Sequence, residues 1–191
     1  TSIELNGVER IRAQIEPVLR WVFFGLFLAI TYFAGQSGTL YWKDWLLFKN
    51  ATPFGVKDAQ FNLDISFFAF KLPLYQALIS WAISALVLAA LASIFVHYMY
   101  GGIRTQGQGE RTTVAARVQL SILFGLIVLM KAIAYWFDRY ALALKENKLI
   151  TGATYTDINA TLPAKAILSG IAVVCALLFF ANIARKSWLL P

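Results

Sequence analysis

The stretch FGLIVLMKAIAYWFDRY, Phe124 to Tyr140, places one ammonium group, Lys131, among apolar and aromatic side chains. A cation set into such a run can do two things: form an ion pair inside a membrane, or mark a polar path through it. If the helix leaves the hydrocarbon near Phe137, Lys131 lies about 9 Å inside the boundary at about 1.5 Å per residue. Helical side chains tilt toward the helix N-terminus, whereas the nearer interface lies toward the C-terminus, so snorkelling works against the backbone. An unpaired ammonium costs about 2 to 3 kcal/mol at mid-bilayer on insertion scales, and less at this depth. A partner is therefore expected. Tyr135 and Asp138 share its helical face, but Asp138 is about 10 Å along the axis. The alternatives are Asp64, Asp157, Gln76 or backbone carbonyls from a neighbouring helix or a folded-in loop.

The other polar residues suggest less chemistry. His97 stands beside Tyr98 and Tyr100 with no second His or Cys near it, so it reads as an interface anchor and no metal site is expected. GGIRTQGQG follows no strand and lacks GK[ST], which favours a flexible turn over a phosphate cradle. Ser80, Ser84, Ser93, Ser121 and Ser169 have no histidine base and suit close helix packing. Trp21, Trp42, Trp45, Trp136 and Trp188 would form an interfacial belt. No catalytic residue or cofactor is assigned. Acid–base work and metal binding need convergent groups, which makes a lipid-linked enzyme using Asp64 or Asp157 the weakest reading.

What must position these residues follows from composition. Of 191 residues, 59% are hydrophobic and only 14% charged, too apolar for an ordinary soluble domain. The fold class is all-α, a polytopic membrane helix bundle. The net charge of +7 comes from basic residues between apolar runs, which orients helices rather than binding nucleic acid. One cysteine, Cys175, in an apolar run allows no internal disulfide. The start TSIELNGVERIRAQ has no secretory hydrophobic region, and the chain looks like an excerpt or a processed subunit.

Four segments are long enough to cross about 30 Å of hydrocarbon: residues 18–35, 73–98, 115–137 and 163–184. Three of them start at a proline, Pro17, Pro73 or Pro163, where a missing N–H does no harm. Residues 1–17 repeat Leu5, Val8, Ile11 and Ile15 at helical spacing, as in a helix lying in the headgroup layer; a soluble tether is the alternative. GTLYWKDWLLFKN reads as an interfacial or re-entrant segment, because Lys43, Asp44 and Lys49 interrupt it. Lys and Arg counts are equal on the two sides, eight each with Lys131 left over, so loop length and type decide orientation. Short, arginine-rich flanks place both termini in the cytoplasm, and the acid-bearing loops 36–72 and 138–162 outside.

The halves echo one another. FGL then AITYF in the first span matches FGL then AIAYW in the third. Each outer loop holds an NAT triplet, at Asn50 and Asn159, and an Asp-Ile pair, at Asp64 and Asp157, and ends in Leu-Pro before ALIS or AILS. The order of the triplet and the Asp-Ile pair differs, so two like-oriented hairpins and chance convergence of short apolar words both remain open.

ATPFGVKDAQF, HYMYGGIR, AARVQL, KAIAYWFDRY, TGATYTDINATLPA and RKSWLLP together resemble uncharacterised protein family 0182, large membrane proteins common in actinobacteria. The resemblance runs the length of the chain. It implies an internal part of a longer polypeptide of seven spans, with further helices on both sides and a large extracytoplasmic domain after the last. Lys131, Tyr135, Asp138 and Arg139 fall in one matching motif, and Asp157, Asn159 and Pro163 in another. The family brings no activity and no catalytic residues. The reading is thus a non-enzymatic module of the bacterial plasma membrane that anchors or positions an extracytoplasmic domain or partner protein, in contact with lipid and with the remaining helices of the longer chain. The alternative is a transporter or lipid-translocating unit with a polar path past Lys131.

Overall fold

The computed structural model describes residues 41–103, 112–145 and 152–184, together with 21, 24–25, 27–32, 34–36 and 38–39. The chain divides into two units, Thr1–Leu46 and Leu47–Pro191. In the first, the described residues between 21 and 36 are helical and almost all exposed, and the Thr31 hydroxyl donates to the Phe27 carbonyl at 2.8 Å. The expected interfacial segment 1–17 lies outside the described residues, and so does part of the expected first span, 18–35. Helix α1, Trp42–Lys49, occupies the aromatic stretch expected to be interfacial or re-entrant. It has no buried residue, and Asp44 in its first turn and Lys49 in its last complement the helix dipole.

The second unit contains three long helices: α2, Leu72–Met99; α3, Val114–Ala141; and α4, Leu162–Ala184. With their flanking turns they form continuous coils over Phe67–Met99, Val114–Leu144 and Asp157–Ile183, of 33, 31 and 27 residues. Each is long and apolar enough to cross a membrane, for which about 20 residues suffice. All described long elements are helical, and β-type pairing among the described residues is limited to two isolated bridges, Lys57 with Asp64 and Ile103 with Thr112.

Helix α3 is the central element, packing against both α2 and α4. Its contact with α4 depends on small residues. A Cβ added at Gly125 would come within 2.7 Å of the Phe180 ring, and the Ser169 hydroxyl donates to the Ala132 carbonyl at 2.9 Å. Ala132 and Ala176 are buried at this seam, as expected where helices associate by close packing. Against α2, α3 uses aromatic and polar groups: Tyr75 and Phe137 have ring centroids 5.3 Å apart, and His97 Nε2 lies 3.0 Å from Gln119 Oε1. Between α2 and α3 the chain folds back under His97, whose carbonyl accepts from Gly102 N–H at 2.7 Å and Ile103 N–H at 3.1 Å. Gly102 allows the close approach, since a Cβ would lie 2.9 Å from His97 Nδ1 and the ring would have to shift. Thr113 then caps α3, its hydroxyl accepting from Ala116 N–H at 3.3 Å.

A widened turn precedes both α2 and α4. Phe67–Lys71 and Asp157–Thr161 are π-helical, and each runs directly into a Leu-Pro pair. Leu72 N–H reaches back five residues to the Phe67 carbonyl, and Leu162 N–H reaches back to that of Asp157. Proline supplies no N–H and presses on the carbonyl four residues earlier, here Ala69 or Asn159; a wider turn moves that carbonyl aside. Pro73 and Pro163 therefore open the α-helical part of their spans, but the coil extends a full turn ahead of them.

Candidate functional site

Lys131 is exposed on α3, with its Nζ 5.4 Å from the Tyr135 ring centroid. Tyr135 stands one turn further on, and its ring supplies an electron-rich face to the cation. Among the described residues no carboxylate pairs with Lys131. Asp138 faces Lys165 instead, with Nζ to Oδ2 3.6 Å, and the same ammonium donates to the Asp138 carbonyl at 3.3 Å. Asp157 and Asp64 are also engaged elsewhere.

Asp157 is the most densely bonded side chain described. It begins the widened turn before α4 and is buried. Thr154 and Asp157 form a capping box: the Thr154 hydroxyl accepts from Asp157 N–H at 3.2 Å, and Asp157 Oδ2 accepts from Thr154 N–H at 3.1 Å. Thr154 Oγ1 also donates to Oδ2 at 2.7 Å. Lys145, just past the end of α3, donates to both carboxylate oxygens, at 2.8 and 3.1 Å. One carboxylate thus ties the end of α3 to the start of α4. Lys145 itself stays half-exposed, so its charge is partly screened by solvent.

Asp64 does a comparable job ahead of α2 with groups of its own loop. Its Oδ1 accepts from Ser66 N–H at 2.8 Å and Phe54 N–H at 3.1 Å, and its Oδ2 from Gly55 N–H at 2.9 Å. The Ser66 side chain and N–H, followed by the Phe54 N–H, hold its carboxyl at about 2, below the ordinary 3.8. Between Asp64 and Lys57 the loop doubles back around Asp58, whose Oδ2 accepts from Gln60 and Phe61 N–H at 2.9 and 2.8 Å. Asn62, at φ 54°, completes the reversal. Phe61 then packs edge-on against Tyr140, with centroids 5.0 Å apart, and Phe67 meets the same ring edge-on at 5.5 Å. These rings seat the loop on the end of α3.

A half-open cavity of about 390 Å³ lies between the two loops, lined by Phe61, Leu142, Ala153 and Ile158 and by the carboxylates of Asp58 and Asp157. Both carboxylates accept backbone N–H groups, Asp58 through Oδ2 and Asp157 together with the Lys145 ammonium. Among the described residues no three His, Cys, Asp or Glu side chains come together as a metal would need.

Of the aromatic anchors, Trp21, Trp42, Trp45 and Trp136 are exposed, Trp188 lies outside the described residues, and the Arg139 guanidinium sits 4.4 Å over the Trp136 ring. Gln76 is half-buried on the first turns of α2. His97 is bonded to Gln119 across the α2–α3 seam. Sequence reasoning passed over Lys145, Thr154, Asp58 and Lys165. Thr154 was findable, since Thr-x-x-Asp ahead of an apolar run is a capping-box signature. The two Asp-Ile pairs prove not to be equivalent: Asp64 lies three residues before its widened turn, where Thr154 stands in the other loop, whereas Asp157 is the first residue of its own.

The whole chain, residues 1–191, matches the family described as Uncharacterised protein family (UPF0182). A UPF0182 protein of Nocardioides sp. is 47% identical over 190 residues, covering 100% of this chain and 19% of the relative. Those of Streptomyces coelicolor and Thermobifida fusca are 45% and 47% identical, with 100% of this chain and 20% and 19% of the relatives covered. No solved structure matches the chain. The chain spans about 19% of the length of the first of these relatives and, matched from end to end, belongs to the uncharacterised protein family UPF0182.

Proposed function

We propose that these residues are a membrane anchor within a longer bacterial envelope protein, and that the loops around Asp64 and Asp157 form a fixed platform for an extracytoplasmic part. The observation that carries this reading is the treatment of charge at that end of the bundle. Asp64, Asp138 and Asp157 are each tied to a neighbouring element or to their own loop, immediately beside long apolar helices. Acids held in this way stiffen a surface; a reacting acid needs a free oxygen facing a substrate. The spans suit anchoring, since their outward faces carry large apolar side chains such as Leu91, Phe95, Ile167 and Leu177. In this reading the helices lie in the plasma membrane, with the Asp64 and Asp157 loops outside and the His97 end in the cytoplasm.

The test uses the full-length protein in intact spheroplasts. Asp157→Ala is expected to loosen the platform, so that external protease cuts the extracytoplasmic part several-fold faster while the amount of protein in the membrane holds. An unchanged cleavage rate would remove the platform role. An Ala59→Cys variant reacting with an impermeant maleimide only after the cells are broken would reverse the orientation.

A further inference from the structure

Arg139 stands in the last turn of α3, where charge returns after a stretch that carries only Lys131 between Arg117 and Asp138. Helical side chains lean toward the helix N-terminus, so Arg139 is laid back over Trp136, three residues earlier, with its guanidinium 4.4 Å over that ring. Trp136 is itself exposed, and stacking on it fixes the plane of the cation. The neighbouring Asp138 is turned to Lys165 on α4. Among the described residues Arg139 meets no carboxylate and its side chain donates no hydrogen bond; of its three nitrogens only Nε is buried without an acceptor. The fork formed by the two terminal nitrogens is therefore the part that can reach a ligand.

The height of this fork selects its ligand class. Val114–Leu144 is long and apolar enough to cross a membrane, so the Trp136–Arg139 pair lies where hydrocarbon gives way to headgroups, the layer in which tryptophan settles. A planar guanidinium offers parallel N–H groups spaced for two oxygens of one anion, and the anion that a phospholipid bilayer supplies at this height is the phosphate. We propose that the Arg139 fork, held flat on Trp136, binds the phosphodiester of a phospholipid headgroup whose acyl chains run along α3 past the exposed Ile133, one turn deeper than Trp136. The proposal rests on the reading of α3 as a membrane span and goes beyond the anchor and platform, since the pair lies at an interface whichever way the helix is inserted.

The test uses the full-length protein in vesicles of an uncharged glycolipid, digalactosyldiacylglycerol, holding a trace of phosphatidylglycerol with a diazirine beside its glycerol. Irradiation is expected to label the stretch from Trp136 to Tyr140, and unlabelled phosphatidylglycerol to suppress that adduct several-fold where diacylglycerol does not. Arg139→Gln lowers the adduct several-fold per inserted protein, while labelling of the exposed faces of α2 and α4 stays. Trp136→Leu keeps the charge, removes the stack and lowers the adduct less; an unchanged yield in that variant counts against the site even if Arg139→Gln fails to insert. Equal suppression by diacylglycerol, full labelling in Arg139→Gln, or adducts elsewhere on α3 with none at Trp136–Tyr140 would overturn the proposal, the last being the result expected if a carboxylate of the longer polypeptide occupies the fork. No adduct anywhere on α2, α3 or α4 would sink the membrane reading and the proposal with it.

Discussion

Aligned on their Leu-Pro pairs, the starts of α2 and α4 have the same backbone shape and different fastenings. Ahead of α2, Asp64 gathers N–H groups from Phe54, Gly55 and Ser66, all within its own loop. Ahead of α4, Asp157 closes a capping box with Thr154 and also takes the ammonium of Lys145, which belongs to the end of α3. The first fastening shapes a loop; the second joins two spans. Proline dictates the widened turn in both places, and the side chains that hold it are free to differ. A shared local constraint therefore produces like geometry without like residues, which is why matching words in the two loops do not occupy matching positions.

The difference can be broken most sharply at Asp157. Asp157→Ala removes the acceptor of Lys145, of Thr154 Oγ1 and of Thr154 N–H at once, and should lower the thermal midpoint in detergent micelles more than any other single change in either loop. Asp64→Ala should cost less and leave the α3–α4 contact unchanged by hydrogen exchange; equal losses would erase the distinction. Thr154→Ala comes next, with about 1 kcal/mol expected for loss of a helix cap, read from the same unfolding curves. Lys145→Met should cost under about 1 kcal/mol, because the ammonium is half-exposed, and the wild-type advantage should shrink as salt is added.

The pH dependence of the Asp64 contribution appears only in acid. Its carboxyl, at about 2 when folded, lies below the ordinary 3.8, so the unfolded chain takes up the proton first as pH falls. Its contribution is complete above the ordinary value and is lost as pH drops through about 2. The Asp64 carboxyl signal followed by NMR should titrate near 2, and Asp64→Asn should flatten the acid limb of the stability profile.

Spans were legible in the sequence because hydropathy and length are properties of contiguous residues: α2, α3 and α4 fall where apolar runs at 73–98, 115–137 and 163–184 placed them. Pro73 and Pro163 mark the starts of α2 and α4, whereas Pro17 lies outside the described residues. Charge pairing was much less legible. Asp138 faces Lys165 and Asp157 faces Lys145, at separations of 27 and 12 residues, and nothing in spacing selects those lysines over Lys131. Partner choice depends on where the end of α3 meets the start of α4, a tertiary fact that a periodicity cannot encode. The capping box was local and could have been read; the backbone cradle around Asp64 could not, since Phe54 and Gly55 reach it only after the loop reverses at Asp58.

The widened turns also bear on motion. Ahead of Pro73 and Pro163 the backbone ladder has lost a donor and loosened its pitch, and a rod yields where its bonding is thinnest. The two flanking spans therefore share a flexure point at corresponding heights, on either side of a central helix that has no proline. A pull on either loop would be absorbed there as bending of α2 or α4, leaving the Gly125–Phe180 seam and the His97 fold beneath it undisturbed.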